Sequence, residues 1–273
     1  MIELATSYCN EREVTADYRQ ALHRVARSMQ AAGITPLTLT DSLLNQWLLS
    51  LRQSPTTRAN YRRMSCTLSR FAAERGLLAG QYTGRIVKVK SRIAPPIAWT
   101  SAELARLISA ARAMPEYLRK GCPARLFFEG FIRLLYETGV RFSDGLELKC
   151  RQLREGRLYV VQNKTGQPIG KILSHRLTEI LTELSVLGDG QTFFRWALAE
   201  RWVRIWFRRL CKSAKVSGTP KFLRRSGATY CEAKEPGSAK KFLGHLSEGL
   251  ALKHYVDQTL LPDSCPTPLP IPE

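Results

Sequence analysis

Five short stretches of the 273-residue chain hold side chains of the kinds that grip anions, move protons or act as nucleophiles. They are ETGVRFSDGLEL (137–148), NKTG (163–166), KFLRRSG (221–227), LGH (243–245) and KHYVD (253–257). Arg141 and Arg224 carry guanidinium groups, which stay charged at any physiological pH and meet paired oxygens with two parallel hydrogen bonds. Lys164 and His245 belong to the residue types that exchange protons. Tyr255 offers a phenol, which titrates near about 10 when unperturbed and needs help with its proton before it becomes a good nucleophile. Each stretch also has a plainer structural reading. Arg141 follows a helix-ending glycine and can pair with Asp144, Lys164 sits in a turn, and Arg224 and Arg225 can be surface charge. His245 can be a satisfied core histidine, and Tyr255 a core aromatic one turn beyond Leu252.

Composition narrows what such groups would act on. Lys and Arg number 42 against 23 Asp and Glu, a net charge of +19 that exceeds what solubility requires and implies a polyanionic partner. With 44% hydrophobic and 24% charged residues, the chain has the make-up of a soluble protein with a proper core. Its length suits two moderate domains better than one. No apolar run is long enough to span a bilayer, and the opening MIELATSYCNEREV lacks the basic and apolar segments of a signal peptide. A cytoplasmic protein without a membrane partner is therefore expected. The seven cysteines are scattered with no C-x-x-C pair, which argues for reduced thiols and against a disulfide framework or a zinc site.

The elements that must position these groups are mostly helical. In residues 17–33 the apolar positions Leu22, Val25, Ala26 and Met29 follow one helical face, and Gly33 ends it. TDSLLNQWLLSL repeats the pattern with Leu44, Trp47, Leu48 and Leu51. A third helix opens at Ser54 with Pro55 in its first turn, runs on Tyr61, Met64, Leu68 and Phe71, and stops before Gly76. Its other faces carry Arg58, Arg62, Arg63 and Arg70, candidate contacts to a phosphate backbone. GRIVKVKSRIAPPIA (84–98), with Lys88 and Lys90, has no helical period and reads as a basic interdomain linker. Thr100 and Glu103 form a capping-box signature at the start of the second region. RLYVVQN, the turn KTGQP and IGKILS then predict an antiparallel hairpin, the single clear β signal. Further helices are expected over PARLFFEGFIRLLYETG (123–139), which stops at Gly139, and around residues 143–149, 175–186, 197–214, 222–234, 238–245 and 249–256, before a proline-rich tail.

The order and local context of the five stretches resemble the tyrosine recombinases, the phage-type integrases, whose catalytic domain reads in outline T-G-x-R-x-x-E/D-L, a hairpin K-T, H-x-L-R, L-G-H and a late tyrosine. TGVRFSD, NKTG, KFLR, LGH and KHY are the matching segments, strongest from about residue 97 to 257. The resemblance implies a mainly helical, two-domain architecture: a helical core-binding domain (1–83), the linker (84–98) and a catalytic domain with a small antiparallel sheet (99–273), with DNA clamped between the domains. It implies cutting and rejoining of DNA strands through a covalent 3′-phosphotyrosine on Tyr255, without metal or cofactor. Arg141 and Arg224 would hold the phosphate oxygens, Asp144 would buttress Arg141, Lys164 would protonate the departing oxygen, and His245 would bond the phosphate or manage the tyrosine proton. The implied partners are double-stranded DNA with specific recombination sites and further copies of the chain, four in the synapse. Arg201, Arg204 and Arg208 join the third-helix arginines as candidate DNA contacts.

Departures from the family's outline are specific. Lys221 stands where the family has histidine, and supplies a cation but no neutral imidazole. The interval from His245 to Tyr255 is one residue longer than the outline and that from Arg224 to His245 shorter, both in turn-forming stretches around SEG and EPGS. Tyr230 is a rival nucleophile and His254 is read as structural. Three other readings compete: a degenerate homologue that keeps the fold but only binds DNA, a nicking-closing topoisomerase that shares the chemistry, and an unrelated basic DNA-binding regulator.

Overall fold

Contacts divide the chain at Ala94–Pro95, within the basic proline-containing stretch, into units Met1–Ala94 and Pro95–Glu273. The computed structural model describes residues 1–79, 82–90, 94–163, 166, 168–244 and 247–261.

The first unit is built from helices α1 (Ile2–Glu11), α2 (Ala16–Ala31), α3 (Asp41–Ser50) and α4 (Pro55–Glu74). The starts of α2, α3 and α4 follow from capping: the hydroxyls of Thr15, Thr40 and Ser54 each accept from the backbone N–H three residues on, satisfying a donor that the helix itself cannot. The expected faces of α2, α3 and α4 are buried, with Leu22, Val25, Met29, Leu44, Leu48, Met64, Leu68 and Phe71 in one core. α1 was not legible as a helix of its own; it contributes Leu4, Ala5 and Cys9 to that core. On α4, Arg63 and Arg70 are exposed. Arg62 instead turns its guanidinium onto the carbonyls of Val87 and Ile86, at 2.8 and 2.9 Å.

That contact revises the linker expected over residues 84–98. Ile86 is buried in the first unit's core. The Asp41 carboxylate accepts from the amides of Thr83, Gly84 and Arg85, and Asn45 accepts from Val87 at 2.9 Å. Residues 83–87 thus belong to the helical unit, held by side chains on α3 and α4. Lys88 and Lys90 are exposed beyond this anchor.

The second unit runs α5 (Ser101–Arg112), α6 (Ala124–Thr138), α7 (Phe142–Leu146), β1 (Leu153–Arg154), β2 (Arg157–Val161), β3 (Pro168–Ile172), α8 (His175–Leu187), α9 (Glu200–Ser213), α10 (Lys221–Lys234), α11 (Ser238–Leu243) and α12 (Glu248–Tyr255). α5 opens with the expected capping box, Thr100 Oγ1 accepting from Glu103 N and Glu103 Oε2 accepting from Thr100 N. The helix richest in apolar residues, α6, occupies the centre. Its Phe127 and Phe131 meet Phe194 edge-to-face at 5.3 and 5.1 Å, the geometry that ring quadrupoles favour. α10 lies across α6 in backbone contact, since a Cβ on Gly227 would stand 2.2 Å from the Tyr136 carbonyl oxygen. The strands form an antiparallel sheet in the order β1-β2-β3, pairing Tyr159 with Gly170. The expected hairpin is present, and the short β1 extends it. Leu158 and Val160 face the core while Tyr159 and Val161 face outward, the alternation of a half-buried strand.

The ends of this unit are fastened together. Asp257 accepts the Ala98 amide at 2.9 Å, and Ser226 on α10 accepts the Trp99 amide at 2.8 Å. Among the described residues no helix is long and apolar enough to cross a membrane.

Candidate active site

The site begins where α6 stops. Gly139 takes the left-handed φ of 63° that side chains rarely adopt, and a Cβ there would sit 2.6 Å from the Phe242 ring. The chain turns, buries Val140 and starts α7 with Arg141 at its N-cap. Arg141 thereby projects beside the α6 terminus. Its Nη1 lies 3.7 Å from the buried Asp144 carboxylate one turn on and donates to Gln162 Oε1 at 2.5 Å.

Arg224 enters from the first turn of α10, whose N-cap is Pro220 and whose first residue is Lys221. It is 4% exposed. Its guanidinium donates to the Gly139 carbonyl and, at 3.3 Å, to the Leu243 carbonyl, so two helix C-termini set its plane. Burial pushes this group down to about 10; attraction to Tyr255 opposes the shift and repulsion from Arg141 adds to it. The group is therefore charged at neutral pH.

Tyr255 is the last residue of α12, and its ring centroid stands 5.0 Å from the Arg224 guanidinium carbon. The residues after it explain why it stays there. Val256 is fully buried, and the buried Asp257 donates its amide to Thr229 Oγ1 at 2.9 Å while its carboxylate holds the Ala98 and Thr259 amides. Of the two stretches expected to be turns, Glu235–Gly237 of EPGS does lie between α10 and α11, whereas Glu248 and Gly249 of SEG fall inside α12. Tyr255 packs against Arg224 and shares a cleft with Arg141.

Arg141, Ser143, Arg204, Lys221, Arg224 and Tyr255 line one cleft of about 300 Å³. Its described lining contains four cations and no carboxylate. Such a surface favours a multiply charged anion, with the phenol at its edge. Of the α9 arginines expected to meet DNA, Arg204 is the one at the cleft, held by Glu200 at 2.7 Å and packed 4.1 Å over the Phe142 ring. Arg201 and Arg208 are exposed on the same helix. Tyr230 does not line the cleft; its ring meets Tyr136 at 6.4 Å. Lys164 and His245 lie outside the described residues. No group of three His, Cys, Asp or Glu side chains gathers among the described residues.

Three residues that the sequence reading left unassigned help to build the site. Gln162 joins Arg141 to the end of α11, and Asp257 fixes the chain after Tyr255. Lys171 on β3 donates to the Phe242 carbonyl at 2.6 Å and lies 4.5 Å from the centre of that ring; burial lowers it to about 8. Their residue types carry no motif, and only proximity to NKTG and KHY marked two of them in the sequence.

The model of the phage integrase family matches residues 99–260, well over half the chain. No curated protein matches by sequence. Among solved structures, the chain is similar to a lambda integrase fragment seen as a dimer bound to a COC′ core site, with TM-score 0.79 and 20% identity over 96% of this chain and 98% of that one. It is similar to a lambda integrase tetramer bound to a Holliday junction, with TM-score 0.75 and 20% identity, covering 94% of this chain and 76% of that one. The XerH site-specific recombinase in a pre-cleavage complex with difH substrate gives 0.70 and 17%, covering 92% and 80%. At these identities the structural likeness speaks for the fold, and the family match speaks for descent. The cationic cleft with a tyrosine at its edge lies within the matched span, and the chain belongs to the phage integrase family of tyrosine recombinases, site-specific DNA strand transferases that work by transesterification.

Proposed function

We propose that Tyr255 is the nucleophile with which this recombinase opens a DNA strand. Its phenolic oxygen attacks the phosphorus and the bond to the 5′ oxygen breaks. A 3′-phosphotyrosine forms, while the phenol loses its proton and the departing 5′ oxygen gains one. Attack by a 5′ hydroxyl of another strand then reverses the chemistry, releases Tyr255 and leaves the strands exchanged. The phosphodiester energy is conserved in the tyrosyl ester, so no nucleotide is consumed.

Arg141 and Arg224 hold the non-bridging oxygens and offset the charge that grows on them, the largest part of the rate. Asp144 buttresses Arg141. Lys221, in the position where the family has histidine, adds a positive charge at the cleft. Lys164 supplies the proton to the leaving oxygen and His245 assists at the phosphate or the phenol, both on the strength of the motifs around them. The carrying observation is the pairing of Arg224 with the Tyr255 ring at 5.0 Å, in a cleft that Arg141 and Lys221 also line. Arg58, Arg63, Arg70, Lys88, Lys90, Arg201, Arg204 and Arg208 contact the DNA, and Arg62 does so only by leaving its carbonyls. The protein works in the cytoplasm on duplex DNA carrying its recombination sites, as part of a mobile element. Four copies assemble on two sites, a reading supported by the similar lambda integrase tetramer on a Holliday junction.

A nicked duplex that traps the cleaved state tests this reading. The wild-type protein is expected to become covalently attached to its element's site, and Tyr255→Phe to form no adduct. Persistence of the adduct in that variant, or its transfer to Tyr230, sinks the assignment. Specific binding with no wild-type adduct points to a homologue that only binds DNA, and relaxation of supercoils at arbitrary sequences points to a topoisomerase.

A further inference from the structure

Just past the end of β2 lies a buried side chain with no place in the reaction as proposed. Gln162 is 1% exposed. The two ends of its amide have opposite chemistry and face opposite partners: Oε1 accepts from Arg141 Nη1 at 2.5 Å, and Nε2 donates to the Leu243 carbonyl at 2.9 Å. The reverse orientation would set donor against donor and acceptor against acceptor, so the network fixes which end is which. Among side chains of this length only glutamine presents a neutral donor and a neutral acceptor from one plane; an ammonium would lose the first contact and a carboxylate the second.

The backbone on either side is tied to the same point. The Gln162 carbonyl accepts from the Gly166 amide at 2.8 Å, closing the turn after β2. Leu243 is the last residue of α11, and Gly244 follows with a left-handed φ of 63°. A Cβ on Gly244 would stand 2.9 Å from Gln162 Nε2 and 2.6 Å from Ile169 Cδ1, so the chain leaves α11 pressed against the glutamine amide. Neighbouring contacts brace the same helix end, with Arg224 Nη2 on the Leu243 carbonyl and Lys171 Nζ on the Phe242 carbonyl.

We propose that Gln162 is a positioning residue of strand cleavage, which orients the Arg141 guanidinium and anchors the end of α11 to the sheet through one buried amide. It acts through Arg141 and touches no reacting atom. The inference rests on the reading of Arg141 as a phosphate clamp. A displacement of about 1 Å at such a group is enough to cost about 100-fold in rate, so a side chain that fixes its orientation is kinetically visible.

The test uses the full-length protein and two variants. Gln162→Met keeps the volume and removes both hydrogen bonds; Gln162→Glu keeps an acceptor for Arg141 and removes the donor to Leu243. DNA affinity, single-turnover adduct formation on the nicked duplex, thermal melting and amide exchange across residues 243–247 are compared with wild type. Gln162→Met is expected to bind DNA within about twofold of wild type and cleave about 30-fold or more slowly, with faster exchange at residues 243–247. Gln162→Glu, which covers the case of a methionine variant that does not fold, should show the faster exchange and a smaller loss of cleavage with binding intact. Cleavage within twofold of wild type in a folded variant overturns the proposal. A loss of cleavage matched by an equal loss of binding or of global stability also overturns it. If the wild type forms no adduct, the clamp reading falls; unchanged exchange at residues 243–247 then independently overturns the anchoring role.

Discussion

Arg224 shows how much of this site depends on shape as well as charge. Its guanidinium joins the Gly139 carbonyl, the Leu243 carbonyl and the face of Tyr255, three directions that a planar, forked cation can serve together. Lysine keeps the charge but has no plane. Arg224→Lys is therefore expected to slow adduct formation by about 10²–10³, as removal of one preorganised donor does at other anionic transition states, while DNA affinity changes by much less. Single-turnover cleavage measured beside equilibrium binding checks this. A variant that cleaves within threefold of wild type would show that charge alone suffices at residue 224. Arg141 is less enclosed, with one face toward Asp144 and Gln162, and Arg141→Ala is expected to fall in the same range by the same assay.

At the scale of elements, one junction brings those residues together and another ties the helices of the unit to each other. The first is α6 against α10, which lie close enough that Gly227 has no space for a methyl group: the added carbon would stand 2.2 Å from the Tyr136 carbonyl and 2.7 Å from the Phe242 ring. Gly227→Ala must push the helices apart, moving Arg224 relative to Gly139. Overpacking of this kind costs about 1–3 kcal/mol or more, read as a lower denaturant midpoint of the second unit. An unchanged midpoint would mean that the helices separate without cost.

The second junction gathers α5, α6 and α8 around Glu129. Burial alone would raise this carboxyl, but hydrogen bonds from Arg112, Arg176 and Arg133 outweigh it and hold the group at about 2, against an ordinary 4.5. A depressed carboxylate contributes stability that is fully present above its unfolded value and is lost as pH falls through the folded one. The unit should therefore lose stability between pH of about 4.5 and about 2, and Glu129→Gln should lose less over that window than wild type does. Denaturant midpoints at pH 7 and pH 3 for the two proteins provide the comparison, and parallel losses would rule Glu129 out as the source.

For the whole molecule the governing quantity is the charge of +19. A surface of this kind binds DNA largely by releasing condensed counterions, so affinity falls linearly in log–log form with salt, by a slope of about −0.9 for each phosphate neutralised. Arg201 and Arg208 are exposed on α9, the helix whose Arg204 reaches the cleft. Replacing either by alanine should reduce the slope by about 1 and weaken specific and non-specific DNA alike. A change confined to the specific site would reassign that arginine to reading bases. Arg62, turned onto the Ile86 and Val87 carbonyls, should leave the slope nearly unchanged when replaced and should instead loosen residues 83–87.

Much was legible without coordinates because it is encoded locally. Apolar residues at helical spacing marked α2, α3 and α4, Ser54 and the Thr100–Glu103 pair marked the starts of α4 and α5, and β-branched and aromatic residues around a Gly/Pro turn marked the hairpin. Motif order also named Arg141, Asp144, Lys164, Lys221, Arg224, His245 and Tyr255, since a family's site residues carry distinctive neighbours. The sequence could not show that Gln162 and Asp257 hold the site together, because a lone amide or carboxylate has no periodicity and acquires its role from partners 81 and 159 residues away. Nor could it show that Tyr255 reaches Arg224 despite the two altered intervals before it. That depended on the buried Val256 and on Asp257, bonded to Thr229 and Ala98, which fix the chain just after α12. Local pattern thus determined which elements form and which residues are chemically apt, and tertiary packing decided which of them share one cleft, because convergence is a property of distant contacts that no segment contains by itself.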